Sequence, residues 1–78
     1  MNGTFNGVPI ENVIALKIYE TRTSLRVLGC PRRQLVRHFK RGSPADVKFS
    51  IHEFKGKVVR YRHAGPAGVY EITIESTE

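Results

Sequence analysis

The sequence predicts a small α+β domain in which one helix packs on one antiparallel sheet. Three observations support this fold class. Several short segments alternate apolar and polar residues, as half-buried strands do. One segment instead spaces its apolar residues like a helix, and the chain has 78 residues, too few for more than one sizeable core. We therefore expect residues 1–78 to form a single domain with the element order ββαβββ.

The first third of the chain is expected to supply two strands. Residues 1–7 contain two Asn-Gly pairs, which favour turns, so we predict a loose lead-in or a short edge ribbon around Phe5. From residue 12 to residue 20 the alternation indicates a strand, with three apolar side chains on one face: Ile14, Leu16 and Ile18. Residues 24–28 are expected to return as a second strand with Leu25 and Val27 on its buried face, although a helix is left open there.

The helical pattern lies in residues 31–41. Pro31 suits the first turn of a helix, because its missing N–H would have no partner there. Three apolar side chains form a stripe along one face: Leu35, Val36 and Phe39. Gly42 is placed to end the helix in the left-handed conformation, so we expect the helix to occupy the whole segment.

The last third is expected to be a meander of three strands. Residues 47–52 alternate cleanly, and glycine-containing turns are predicted at residues 55–56 and 64–67. Val59, Tyr61, Tyr70, Ile72 and Ile74 are expected to point inward. A four-residue second turn would place Arg60 opposite Glu71 on the outward face, where the two charges attract.

The chain is basic, and its positive charge is concentrated in the middle. Thirteen Lys and Arg residues against seven Asp and Glu residues give a net charge of +6. From Thr21 to Ala45 there is no acidic residue, but there are several basic ones: Arg22, Arg26, Arg32, Arg33, Arg37, Lys40 and Arg41. Such a concentration is typical of a surface that meets a polyanion.

Composition also excludes several classes of function. The longest apolar run, Val13 to Leu16, is too short for a membrane-spanning helix or a signal-peptide core. A single cysteine, Cys30, cannot form a disulfide within the chain, so a reducing, cytoplasmic location is expected. The three histidines are not at metal-ligand spacing, and no glycine loop that could hold a phosphate precedes a helix. We expect neither a metal nor a cofactor.

The predicted helix is the leading candidate for a contact surface. Within an arc of about 100° opposite its apolar stripe lie four cations: Arg33, Arg37, Lys40 and Arg41. Arg32 and Arg33 would stand in the first turn, where the helix dipole disfavours positive charge. Residues placed against a local preference favour a role toward an external partner.

A motif in the same segment points to DNA. A Leu-Gly turn at Leu28 is followed by the pattern Arg-x-Leu-x-Arg-x-Phe-Lys-Arg over residues 33–41 and then by Ser-Pro. In these features residues 28–45 resemble the recognition-helix region of AraC-type transcription activators. The resemblance implies that Arg32, Arg33 and Arg37 would face DNA.

A second basic face is expected on the outward side of the sheet. It would carry Lys48, Arg60 and Arg62. Sheets that bind single-stranded RNA combine cations with exposed aromatic side chains. Because only Tyr19 and Phe54 have the outward phase, we do not expect a base-stacking platform on this face.

The leading functional expectation is a small non-enzymatic module that binds nucleic acid, in particular DNA, through residues 32–41 with help from Arg22 and Arg26. The alternative is a protein-binding inhibitor or adaptor, as in phages and mobile elements, that docks its basic face on an acidic partner. Pairing with a second copy through an exposed strand is a further expectation. A metal-independent ribonuclease is a third hypothesis, and its candidate residues are His52, Glu53, Arg60, Tyr61, Arg62 and His63.

Overall fold

One antiparallel sheet makes up most of the chain in the computed structural model, which describes residues 2–29, 31–63 and 68–77. The elements follow in this order: β1 (Gly3–Phe5), β2 (Val8–Ile10), β3 (Val13–Ile18), β4 (Arg22–Leu28), α1 (Arg33–Val36), β5 (Pro44–Phe49), β6 (His52–His63) and β7 (Val69–Ser76). The prediction of an antiparallel sheet is confirmed. The domain is nevertheless mostly sheet and only loosely α+β, because its helix has four residues.

The sheet curls strongly, so that its two edge strands approach each other at one end. Its seven strands are hydrogen-bonded in the order β2-β1-β5-β6-β7-β4-β3, so that β2 and β3 stand at opposite ends of that order. Only Glu11 and Asn12 separate these two strands in the sequence. Six interstrand spacings would cover about 29 Å in a flat sheet, whereas three peptide units reach about 11 Å. The strong curvature that results gives the sheet a concave face, which encloses the core.

The core is centred on Phe39, in the turns that follow α1. Its ring lies 5.2 Å from that of Phe5, 5.0 Å from that of Tyr61 and 5.9 Å from that of Tyr70, centre to centre. These partners belong to β1, β6 and β7, so one side chain joins strands from across the curled sheet. The buried apolar residues are Phe5, Ile10, Val13, Leu25, Val27, Leu35, Phe39, Ala45, Val47, Phe49, Val58, Tyr70, Ile72 and Ile74.

The helix is much shorter than residues 31–41. After Val36 the backbone continues in tighter turns, in which the N–H groups of His38 and Phe39 donate to carbonyls three residues earlier. Arg37 follows Arg33 at helical spacing, and such like-charge pairs weaken a helix. The predicted burial of Leu35 and Phe39 is confirmed, whereas Val36 is exposed. Gly42 has a φ of 90°, as predicted for the end of the segment.

Residues 3–10 form a hairpin, so the short-ribbon interpretation is the correct one and the loose lead-in is wrong. Asn6 and Gly7 make its turn with φ values of 53° and 83°, and Phe5 is fully buried. The Asn6 side chain ties this hairpin to β5: its Oδ1 accepts from the Asp46 N–H at 2.6 Å, and its Nδ2 donates to the Pro44 carbonyl at 3.0 Å. The strands, with three residues each, are too short to show alternation in the sequence.

In the meander, the predicted turn at residues 55–56 is wrong. The chain instead turns at Ser50, whose φ is 52°, and β6 runs without interruption for 12 residues. Its first half pairs with β5 and its second half with β7. Gly56 lies where the strand passes from one partner to the other, and a Cβ there would overlap the Glu75 carbonyl oxygen. Gly56 is therefore needed for close strand approach rather than for a turn.

Two further predictions concern register. Residues 24–28 are a strand, with Leu25 and Val27 buried as expected. Arg60 does not face Glu71, because the pairing of β6 with β7 next to their connection begins at His63 and Tyr70; this register places Arg60 opposite Thr73 and Arg62 opposite Glu71. Farther from the connection, a bulge at Val59 reverses the phase of β6, so Val58 rather than Val59 is buried. The predicted turn at residues 64–67 and Cys30 lie outside the described residues.

Candidate functional site

The convex face of β3, β4, β7 and β6 carries a cluster of charged side chains. The strands of this face alternate, so that every second side chain points away from the core. The registers of β4, β7 and β6 arrange the outward side chains in three rows: Arg26, Glu71 and Arg62; Ser24, Thr73 and Arg60; Arg22, Glu75 and Lys57. Lys17 on β3 extends the middle row, since it is opposite Ser24.

Glu71 lies at the centre of this face between two arginines. Its side chain is 10% exposed; Oε2 accepts a hydrogen bond from Arg26 Nε at 2.9 Å, and Oε1 accepts one from Arg62 Nε at 3.3 Å. The hydrogen bond from Arg26 lowers the pKa of Glu71; burial opposes this effect, and the positive charges of Arg62 and Arg26 support it. The carboxylate is therefore ionised at neutral pH. It holds both guanidinium groups in place at the surface, and each retains further N–H donors.

An open groove of about 540 Å³ crosses this face, and we refer to it as the basic groove. Its lining comprises five cations, two carboxylates and four neutral residues: Lys17, Arg22, Arg26, Arg41 and Arg60; Glu71 and Glu75; Tyr19, Ser24, Val59 and Thr73. Both carboxylates already have arginine partners, Glu75 through Arg22 at 3.2 Å. The lining has an excess of three positive charges. Within the described residues, Lys17, Arg41 and Arg60 make no ion pair.

A second depression, of about 290 Å³, lies beside the turn between β3 and β4. Two acidic side chains, Glu20 and Glu53, and two basic ones, Arg22 and Lys55, line it together with neutral residues, Tyr19 among them. Because these charges balance, the depression lacks the electrostatic preference that distinguishes the basic groove.

The structure regroups the cations that the sequence singles out. Arg22, Arg26 and Arg41 join Arg60 in the basic groove, and Arg62 adjoins it through Glu71. The other members of the predicted helical surface are exposed but lie outside the groove lining: Arg32, Arg33, Arg37 and Lys40. A continuous cationic helix face over residues 32–41 is therefore wrong, because helical structure ends at Val36.

Two of the remaining cations have positions that separate them from the groove. Arg32 Nη2 lies 3.6 Å from Glu11 Oε2, at the corner between β2 and β3. Lys48 is on β5 opposite Glu53, seven residues before Arg60 on β6, which corresponds to about 23 Å of strand. Lys48 therefore points to the outward side of the sheet, as Arg60 and Arg62 do, but it lies far from both along the strand.

Sequence reasoning missed Lys17 as a site residue. It lies outside the stretch that lacks acidic residues, and its outward phase on β3 is the signal that could have identified it. Its position beside Ser24, and thus next to the arginines, depends on the register between β3 and β4.

The candidate ribonuclease residues do not assemble into one site. His52 and His63 stand at the two ends of β6. His38 serves the fold instead, since its Nδ1 lies 3.2 Å from Asn6 Nδ2.

Burial, with a contribution from Tyr61, raises the pKa of Tyr70 to about 12, so this phenol stays protonated at neutral pH. Within the described part of the chain, no three His, Cys, Asp or Glu side chains are grouped as metal ligands would be.

β3 forms one edge of the sheet. It exposes two apolar side chains, with Ile14 55% and Ile18 52% accessible. An edge strand offers unpaired backbone groups to another chain. Pairing with a second copy through such a strand stays a prediction.

Comparison with protein-family models, curated proteins and solved structures gives no match to this chain. The resemblance to AraC-type activators is confined to the motif, because the segments that lead into it, Val13–Ile18 and Arg22–Leu28, are strands, and of its described residues only four are helical. Among the residues that the structure describes, no helix has the length and apolar character needed to cross a membrane.

Replacing Glu71 with glutamine is expected to lower the free energy of unfolding by about 1–3 kcal/mol at pH 7, because two charged hydrogen bonds are weakened. The pKa of Glu71 is lower in the folded chain than in the unfolded chain, where it has the ordinary value of about 4.3. The carboxylate therefore stabilises the fold fully above that value, and the effect disappears as the pH falls through the folded pKa. Thermal unfolding from pH 7 to about pH 2 should show the variant and the native protein converging.

The matched control for this experiment is Glu53→Gln. Glu53 also pairs with a cation, Lys55 at 3.3 Å, but its side chain is 47% exposed. Exposed pairs contribute about 0–1 kcal/mol. Equal effects of the two substitutions at pH 7 would contradict the structural role of Glu71.

Proposed function

We propose that this protein binds nucleic acid through the basic groove. The observation that supports the proposal is the gathering of five cations along one open groove whose two carboxylates are already paired with arginine. A polyanion that enters such a groove meets an excess of positive charge and releases its condensed counterions, which drives association. The groove is open to solvent, as a chain-like ligand requires.

The dimensions of the groove are compatible with a short stretch of phosphate backbone. Arg22 and Arg26 are four residues apart on β4, or about 13 Å along the strand. The four strands that contribute to the face span about 14 Å. At about 3.4 Å per nucleotide along a B-form strand, four nucleotides cover a similar length. Ser24 and Thr73 add hydroxyl donors between the cations, and hydroxyls commonly contact phosphate oxygens.

This proposal keeps the nucleic-acid class that the sequence predicts but transfers the contact surface from a helix to the sheet. A four-residue helix is about 6 Å long, which is too short to lie along a major groove. The expectation of DNA in particular depends on that helix. The acidic protein partner, the alternative expectation, would be favoured if nucleic acid fails to bind.

Charge reversal in the groove tests the proposal. The double variant Lys17→Glu and Arg60→Glu is expected to lower nucleic-acid affinity about 100-fold or more at low salt, because it replaces attraction to phosphates with repulsion. Neither side chain makes an ion pair within the described residues, so the fold should tolerate the change. Fluorescence anisotropy with labelled oligonucleotides measures the affinity, and circular dichroism verifies folding.

The control variant is Arg33→Glu with Arg37→Glu, which changes the net charge equally but lies outside the groove lining. Its affinity should fall less than about tenfold, through the general field alone. Three to five phosphate contacts also predict a slope of about −2 to −3.5 in a plot of log affinity against log salt for a single strand. Equal losses in the two variants, or no binding by the native protein at low salt, would overturn the proposal.

A further inference from the structure

Tyr19 differs from the other aromatic residues of the chain in where its ring lies. It is 60% exposed and lines the basic groove together with Arg22, Arg41 and Arg60. Phe54, the other aromatic residue with an outward phase in the sequence, packs partly against the core and stacks on His52 at 6.1 Å. Among the described residues that line the groove, Tyr19 is the one aromatic side chain.

The backbone holds Tyr19 in a defined position at the end of β3. Its N–H donates to the Arg22 carbonyl at 2.7 Å, closing the turn between β3 and β4. The Thr21 carbonyl in that turn accepts from the Ser76 N–H at 2.8 Å, which anchors the turn to β7. The ring is thus carried by an anchored turn, so little chain entropy is lost when a ligand contacts it.

Tyr19 also follows Lys17 in the chain at an interval of two residues, and both line the basic groove. In extended backbone this interval corresponds to about 7 Å. A phosphate at Lys17 and the base of a neighbouring nucleotide at Tyr19 can therefore belong to one extended strand. A cationic track with an aromatic platform beside it is the combination found in proteins that bind single strands.

We infer that Tyr19 stacks on an unpaired base and that the basic groove consequently takes single-stranded nucleic acid. This inference rests on the proposed function, since the phosphates must first be held by the groove. Stacking on Tyr19 requires a base whose flat face is accessible. In a duplex both faces of each internal base are covered by its neighbours, whereas an unpaired strand can turn a base outward.

Two probes with the same number of phosphates test the inference: oligothymidylate and an abasic strand of equal length. The native protein should bind oligothymidylate about five- to 100-fold more tightly than the abasic strand, the range expected for stacking on one base. Tyr19→Leu should lose this preference and bind the abasic strand as the native protein does. Tyr19→Phe, which keeps the aromatic ring, should retain the preference.

Each other outcome has a defined meaning. If the native protein binds both probes equally, or if Tyr19→Leu keeps the preference for thymidylate, the stacking role is wrong while the basic groove stands. Tighter binding of a duplex of the same sequence length than of either single strand would also overturn the inference. If the native protein binds neither probe nor the duplex, the proposed function itself fails. Anisotropy at one low salt concentration suffices for all of these comparisons.

Discussion

Replacement of Phe39 with alanine is expected to destabilise the protein by about 3–5 kcal/mol. Phe39 is 2% exposed, and its ring contacts Phe5, Tyr61 and Tyr70 on three different strands. A cavity at this position would loosen the packing between β1, near the beginning of the chain, and β7, near its end. A domain of this length has a total stability of about 4–12 kcal/mol. The loss is therefore a large part of the whole and should be visible as a shifted urea midpoint or as unfolding without denaturant.

Two variants in the same segment show whether the ring itself is responsible. Phe39→Leu keeps most of the side-chain volume. It should therefore lower the free energy of unfolding less than the alanine variant does, by about 1.5 kcal/mol at most. Val36→Ala, at an exposed position of the predicted apolar stripe, should change stability by about 0.5 kcal/mol or less. If Phe39→Ala unfolds at the same urea concentration as the Val36 variant, Phe39 is not the centre of the core.

Gly56→Ala is the second substitution for which we expect a large effect, a loss of about 2–4 kcal/mol. The added Cβ would overlap the Glu75 carbonyl oxygen, with the Glu75 carbonyl carbon 2.7 Å and the Ser76 Cα 3.1 Å away. All three atoms are backbone, so a side-chain rotation cannot relieve the overlap. β6 and β7 must separate locally where their pairing begins at Gly56 and Ser76. Hydrogen exchange in β7 should accelerate, and the melting temperature should fall.

Lys57→Ala provides the comparison for Gly56. Lys57 is the next residue on β6 and is exposed, so its truncation should change stability by about 0.5 kcal/mol or less. A melting temperature for Gly56→Ala that matches that of Lys57→Ala would show that the two strands can separate at this point without cost.

Strand periodicity is the part of the fold that can be predicted best from this sequence. Leu25, Val27, Tyr70, Ile72 and Ile74 are expected to point inward and are buried. Alternation is a local property of the backbone, because successive side chains of any strand point to opposite faces. The same logic fails at Val59, where a bulge adds one residue and reverses the phase. The sequence shows no residue whose local preference would identify that bulge.

The helix demonstrates how tertiary packing limits a local pattern. Leu35 and Phe39 have helical spacing, and both are buried as predicted. A short helix followed by tighter turns also buries both side chains. These turns place Phe39 in the interior of the curled sheet. A hydrophobic stripe thus predicts which side chains are buried but not how far the helix continues.

The composition of the candidate site was visible in the sequence, whereas its assembly was not. Arg22, Arg26, Arg41 and Arg60 are all recognised as candidates from charge, but they come from segments far apart along the chain. They share a groove because β4 pairs with β7 and β7 with β6, so Arg60 of the second basic face joins part of the first basic segment in one surface. Glu71 becomes the carboxylate between two arginines for the same reason.

Local chemistry is therefore enough to establish that this chain forms a small basic domain built on an antiparallel sheet, because strand alternation and net charge depend on the order of neighbouring residues. The closing of the sheet around Phe39, the bulge at Val59 and the grouping of cations in the basic groove depend on contacts between residues far apart in the sequence. Such contacts form only when the sheet curls, and no short-range periodicity encodes the curvature or the register that brings them together.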